Sequence, residues 1–77
     1  MTTPAQIRAA RALVGLSQTE VAVAASVSSM TVKRAEGSGN PPASAEAVAS
    51  IRAALEAAGA VFLPENGNGP GVALRKP

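Results

Sequence analysis

The sequence predicts a mainly α domain, with four short helices followed by a C-terminal β-hairpin. Three observations predict it. A Ser or Thr stands ahead of each of four stretches in which apolar residues recur at helical spacing. Gly, Ser or Gly/Pro breaks separate those stretches. After Gly59 the pattern changes to two short apolar runs, Ala60 to Leu63 and Val72 to Leu74, around a Gly/Asn/Pro-rich turn, which reads as strand, loop and strand.

The first helix opens at "TTPAQ". Thr3 is placed to cap, Pro4 suits the first helical position, and Gln6 stands three residues after Thr3, as a capping box requires. Ile7, Ala10 and Val14 form its apolar side, and Gly15 stops it. The second helix opens at "SQTE", a capping box of Ser17 and Glu20. Val21, Ala22 and Ala25 are its apolar positions, and it ends near Ala25. Ser28 caps a third helix that runs to about Glu36, with Val32 and Ala35 inward and Val27 as a hydrophobic staple. "GSGNPP" cannot continue a helix. Ser44 caps the fourth, where Val48, Ile51, Leu55 and Ala58 form a narrow stripe that Gly59 ends.

Composition narrows the chemistry. A sequence of 77 residues is one small domain. With Phe62 as its one aromatic and many alanines, its core is thin and helical, and oligomerisation is an expected source of stability. There is no Cys and no His, so disulfides, imidazole bases and the common zinc sites are excluded. Glu20, Glu36, Glu46, Glu56 and Glu65 are scattered, and no spacing argues for a catalytic pair. The expectation is a non-enzyme with no cofactor and no metal. The net charge of +2 permits a nucleic-acid partner without demanding one. No segment approaches a membrane span and the N-terminus has no signal pattern, so the expected location is the cytoplasm.

The stretch "SQTEVAVAASVSSMTVKRAEGS", Ser17 to Ser38, holds two short helices with almost nothing between them. Such a pair, with the second helix exposing a polar face, is a helix-turn-helix, whose second helix fits the DNA major groove. The residues of that face are Ser29, Met30 and Thr31, followed by Lys33 and Arg34. Arg binds guanine O6 and N7 with two hydrogen bonds, and Met or a Thr methyl can touch a thymine methyl. The plain alternative is a solvated helix face with ordinary surface charges. Met30 also suits a protein contact. Arg8 reads equally as a phosphate contact or as solvated surface, Arg52 reads as solvated, and Arg75 and Lys76 read as a solvated tail in preference to an extra phosphate contact. "ENGNGPG" is a hairpin turn, since no strand-loop-helix context or following Lys makes it a phosphate loop.

From Ile7 to Glu36, "IRAARALVGLSQTEVAVAASVSSMTVKRAE" resembles the lambda-repressor-like (Cro/repressor, XRE-type) helix-turn-helix transcriptional regulators. The marks are Arg11, "GLSQ", Ala22 and "VSSMTVKRAEGS". Members usually have five helices, whereas this protein offers four and a hairpin. The resemblance implies a four-helix DNA-binding domain over residues 1–59, with its motif at about 17–36, and a hairpin and tail over 60–77. It implies DNA contacts from Ser17, Gln18, Ser28, Ser29, Met30, Thr31, Lys33 and Arg34, with Gln18 on phosphate and Ser29, Met30 and Arg34 on bases. It also implies an internal ion pair between Arg11 and Glu36. The turn position that is usually Gly is Ser26 here; if it keeps a positive φ, it costs on the order of 1 kcal/mol.

The expected function is therefore a small sequence-specific regulator of transcription that binds double-stranded DNA as a homodimer. A two-stranded hairpin is marginal alone, and Val61, Phe62, Leu63, Val72 and Leu74 are the expected dimer contacts. The competing expectation is a protein-binding module, an antiactivator or antitoxin that grips another regulatory protein.

Overall fold

The computed structural model describes residues 2–76, so the outer limits of the expected 1–59 and 60–77 division, Met1 and Pro77, lie outside the described residues. The elements run α1 (Pro4–Val14), α2 (Gln18–Ala25), α3 (Ser29–Ala35), α4 (Ala45–Ala57), β1 (Ala60–Leu63) and β2 (Gly71–Leu74). Four helices and an antiparallel hairpin are the architecture that the sequence predicts.

Each helix begins where a hydroxyl is available to its orphan N–H groups. Thr3 and Gln6 form the first capping box and Ser17 and Glu20 the second, with both reciprocal bonds present in each. The Ser28 hydroxyl oxygen accepts the Thr31 N–H and that of Ser44 accepts the Ala47 N–H. Gly15 ends α1 in the left-handed region at φ 74°. At the end of α4 the boundary differs from the predicted stripe. The helix stops at Ala57, so Ala58 is its C-cap and is exposed, while Ile51 and Leu55 are buried and Val48 half-buried.

One core joins all six elements. Ile7 and Ala10 from α1, Val21 and Ala22 from α2, Val32 and Ala35 from α3, and Ile51 and Leu55 from α4 meet Ala60 and Phe62 of the hairpin. The hairpin is thus part of the main core and not an appendage. Its register pairs Ala60 with Leu74, Phe62 with Val72 and Leu63 with Gly71. Because side chains alternate across a strand, Ala60 and Phe62 face the helices while Val61 and Leu63 face away.

Two contacts that the sequence did not reveal hold the hairpin. Gln6 is 5% exposed, and its side chain does more than close the capping box. Its Oε1 accepts the Thr3 N–H, while its Nε2 donates to Gly71 O at 3.0 Å and Leu63 O at 3.4 Å, the last pair before the loop. Arg52 is not simply solvated either. Its guanidinium carbon lies 4.8 Å from the Phe62 ring centroid, its Nη1 donates to Thr2 Oγ1 and its Nε pairs with Glu56. Arg75 donates to the Glu56 carbonyl at the end of α4, where a cation suits the helix dipole. No helix among the described residues is long and apolar enough to cross a membrane.

Replacing Gln6 by Ala is expected to lower stability by roughly 1 kcal/mol, since two partly buried carbonyls lose their donor. Gln6→Glu is expected to cost at least as much, because a carboxylate offers only acceptors to two carbonyl oxygens. Urea denaturation of the two variants is the check, and parent-like midpoints would show that Gln6 does not hold the hairpin.

Candidate nucleic-acid interface

A seven-residue helix has few inward positions, and α3 uses two of them: Val32 and Ala35 are buried. The remaining arc points outward. Met30 is 51% exposed and Lys33 is exposed, while Ser29, Thr31 and Arg34 are half-buried. Consecutive residues diverge by about 100° around the helix, so Lys33 and Arg34 lie on opposite sides of Met30. The expected face is therefore assembled on one helix, with Met30 at its middle.

The turn ahead of α3 is Ser26, Val27 and Ser28. Ser26 adopts φ 57° and ψ 41°, the only non-glycine residue with positive φ among the described residues. The left-handed conformation expected of a Gly is kept, with Ser bearing its steric cost. The Val27 N–H returns to the Ala22 carbonyl at 3.0 Å, and the half-buried Val27 side chain packs on the core. Ser28 and Thr31 also share a hydroxyl hydrogen bond of 2.9 Å. Ser17 is exposed at the start of α2, and its oxygen accepts the Glu20 N–H. The Ser17 backbone N–H, followed by its side chain, holds the Glu20 carboxyl below the usual range.

The far end of α3 is fastened through Glu36, its C-cap residue, which is 4% exposed. Arg11 grips the carboxylate with two bonds, Nε to Oε2 at 2.6 Å and Nη2 to Oε1 at 3.2 Å. This is the ion pair that the resemblance implies, joining the first and third helices. Arg11 also donates to the Leu16 carbonyl. Arg8, one turn before Arg11 on the same side of α1, donates through Nη1 to the Glu36 carbonyl oxygen. Sequence reasoning left Arg8 undecided and missed this bond; the three-residue spacing to Arg11 was the available signal.

Gln18 is turned inward. Its Nε2 donates to Glu36 Oε1 at 3.1 Å, so the expected phosphate contact has only its second N–H left to offer. Among the described residues, Arg8, Lys33 and Arg34 make no ion pair, and these three carry the positive charge of this surface. Arg34 has a further feature: its Nε is buried without a hydrogen-bond partner. An unmet buried donor costs about 1–3 kcal/mol, more on a charged group.

The expected dimer contacts do not stay together. Phe62 is 8% exposed and covered by Arg52, and Val72 packs on the core beside it. Phe62 is spent on the protomer's own core, whereas Val72 stays half-buried. Leu63 and Leu74 are exposed and Val61 is half-buried.

No protein-family model matches the sequence, and no curated protein does.

Arg11→Ala strands a buried carboxylate, whereas Arg8→Ala removes one donor to a backbone carbonyl. The first is therefore expected to lower stability by about 3 kcal/mol and the second by about 1 kcal/mol or less. Equal melting temperatures for the two variants would sink this assignment. At the turn, Ser26→Gly is expected to raise stability by up to about 1 kcal/mol, or several degrees in Tm, as the left-handed strain is relieved. A lower Tm would show that Ser26 has a compensating role.

Proposed function

We propose that the protein is a small sequence-specific DNA-binding regulator of transcription that places α3 in the major groove. The observation that carries this reading is the outward arc of α3. A short capped helix, fastened at both ends, presents Ser29, Met30, Thr31, Lys33 and Arg34 with only two residues buried. Its flank carries Arg8, Lys33 and Arg34 without partner carboxylates. Ser17 and Ser28 at the two helix starts supply hydroxyls suited to phosphate. The resemblance to lambda-repressor-like regulators points the same way.

Assembly follows from the same geometry. One short helix reads few bases, and a twofold homodimer would set two such helices about one DNA turn apart. Val61, Leu63, Val72 and Leu74 are the hairpin residues with surface left for that contact.

A second reading has its own observation. Val23 on α2 is 76% exposed and Met30 51%, and exposed apolar side chains on neighbouring helices suit a protein partner. In that reading the protein grips another regulator.

Selection of bound sequences from random duplex DNA separates the two. A DNA-binding dimer returns a palindromic site, a monomer returns an asymmetric one, and a protein-binding module returns none. On the selected site, Arg34→Ala is expected to lose roughly 1–3 kcal/mol and relax the preference at one base, with guanine expected there. Lys33→Ala is expected to weaken specific and random duplexes alike and to reduce the salt slope by about one unit. Met30→Ala is expected to cost less, and only at sites with a thymine methyl. If Arg34→Ala binds every duplex as the parent does, α3 is not the reader.

A further inference from the structure

The loop between the strands, "PENGNGP", takes no part in either function proposed above. It repeats one dipeptide, Asn66–Gly67 and Asn68–Gly69, and all four residues are exposed or half-exposed. In an Asn–Gly step the backbone nitrogen of the glycine can attack Cγ of the asparagine, because no side group on the glycine blocks the approach. The new bond from that nitrogen to Cγ closes a five-membered succinimide, and the bond from Cγ to Nδ2 breaks. Ammonia leaves, carrying away the glycine nitrogen's proton. Water then opens the ring at either carbonyl, to give Asp or isoaspartate.

The structure places a carboxylate on both attacking nitrogens. Glu65 Oε1 accepts the Gly67 N–H at 2.9 Å and the Gly69 N–H at 2.7 Å. Gly67 at φ 99° and Gly69 at φ 89° hold the backbone turned so that both N–H groups converge on that one oxygen. Removing a proton from either nitrogen would create negative charge beside the carboxylate, which like-charge repulsion disfavours. The same bonds must also break before either nitrogen can swing onto its asparagine. Both effects slow cyclisation. Asn66 is otherwise prepared for attack, since its Oδ1 accepts the Asn68 N–H at 3.3 Å, which polarises the carbonyl.

We infer that Asn66 and Asn68 form a deamidation site in which Glu65, by holding both glycine N–H groups, sets the rate of modification. Each event adds one negative charge to a protein of net charge +2, and isoaspartate adds a methylene to the backbone joining β1 and β2. Deamidation in this loop is independent of DNA binding and does not need it.

An internal reference is built into the sequence. The remaining asparagine, Asn40, is followed by Pro41, whose nitrogen has no proton to lose. The test is incubation of the full-length protein and of Glu65→Gln in neutral buffer at body temperature. Peptide mapping then follows Asp and isoaspartate at all three positions, and circular dichroism confirms equal folding. The expected result is conversion at Asn66 and Asn68 with Asn40 unchanged, and a combined rate roughly fivefold higher in Glu65→Gln, where a neutral acceptor replaces a charged one. Glu65→Ala, which removes the bonds as well as the charge, should convert at least as fast as Glu65→Gln. No conversion at Asn66 and Asn68 in the parent or either variant would overturn the inference. So would a rate in the two variants equal to or below that of the parent.

Discussion

Glu36 closes the third helix inside the protein, and a carboxylate there has to be met by donors or the helix cannot dock. It is met by three side chains from two other helices. Arg11 and Gln18 take the carboxylate and Arg8 takes the backbone carbonyl. A buried charge with partners this close is costly to strand, so the four residues behave as one unit. The position of α3 depends on that unit because α3 offers the core only Val32 and Ala35. A helix with so little apolar grip needs a directional tie at one end and a shaped turn at the other. The left-handed Ser26 supplies the second, with its strain offset by the packing of Val27.

The same scarcity explains the hairpin. Ile7, Val21, Val32, Ile51 and Leu55 are the large fully buried side chains, and most of the remaining helical core is alanine. Alanine lets helices approach closely but fills little volume, so one side of the bundle stays open. Phe62 closes it, with Arg52 stacked on its outer surface and Val72 beside it. A two-stranded hairpin is marginal alone. Here it is held by Gln6, which reaches from the first turn of α1 to the last cross-strand pair, some 65 residues away. The two tethers, Glu36 and Gln6, both fasten to α1, which makes that helix the frame on which both ends of the fold are set.

This arrangement leaves α3 free on its outer side for a reason that is physical before it is functional. Anchored by its ends, it does not need its outer residues for stability. Ser29, Met30, Lys33 and Arg34 can then be selected for what they contact. The cations follow the same logic: Arg11 is neutralised by Glu36, whereas Arg8 gives its hydrogen bond to an uncharged carbonyl and keeps its charge for the surface.

Local signals were legible in the sequence because they act over three or four residues. The four caps, both capping boxes, the left-handed Gly15 and the break at "GSGNPP" are all decided by neighbours along the backbone, and they set the number, order and limits of the helices. The outward arc of α3 was legible too, since Val32 and Ala35 at helical spacing leave only one way to turn it. The Arg11–Glu36 pair was reached through the resemblance, and no local spacing contains it. Tertiary structure alone decided what happens across long separations. It turned Gln18 inward onto a carboxylate 18 residues away, gave Gln6 to the hairpin, laid Arg52 over Phe62, and drew Phe62 into the core. The helical period of a residue tells which way it points; which partner waits there depends on how the helices cross, and that is settled only when the whole core packs.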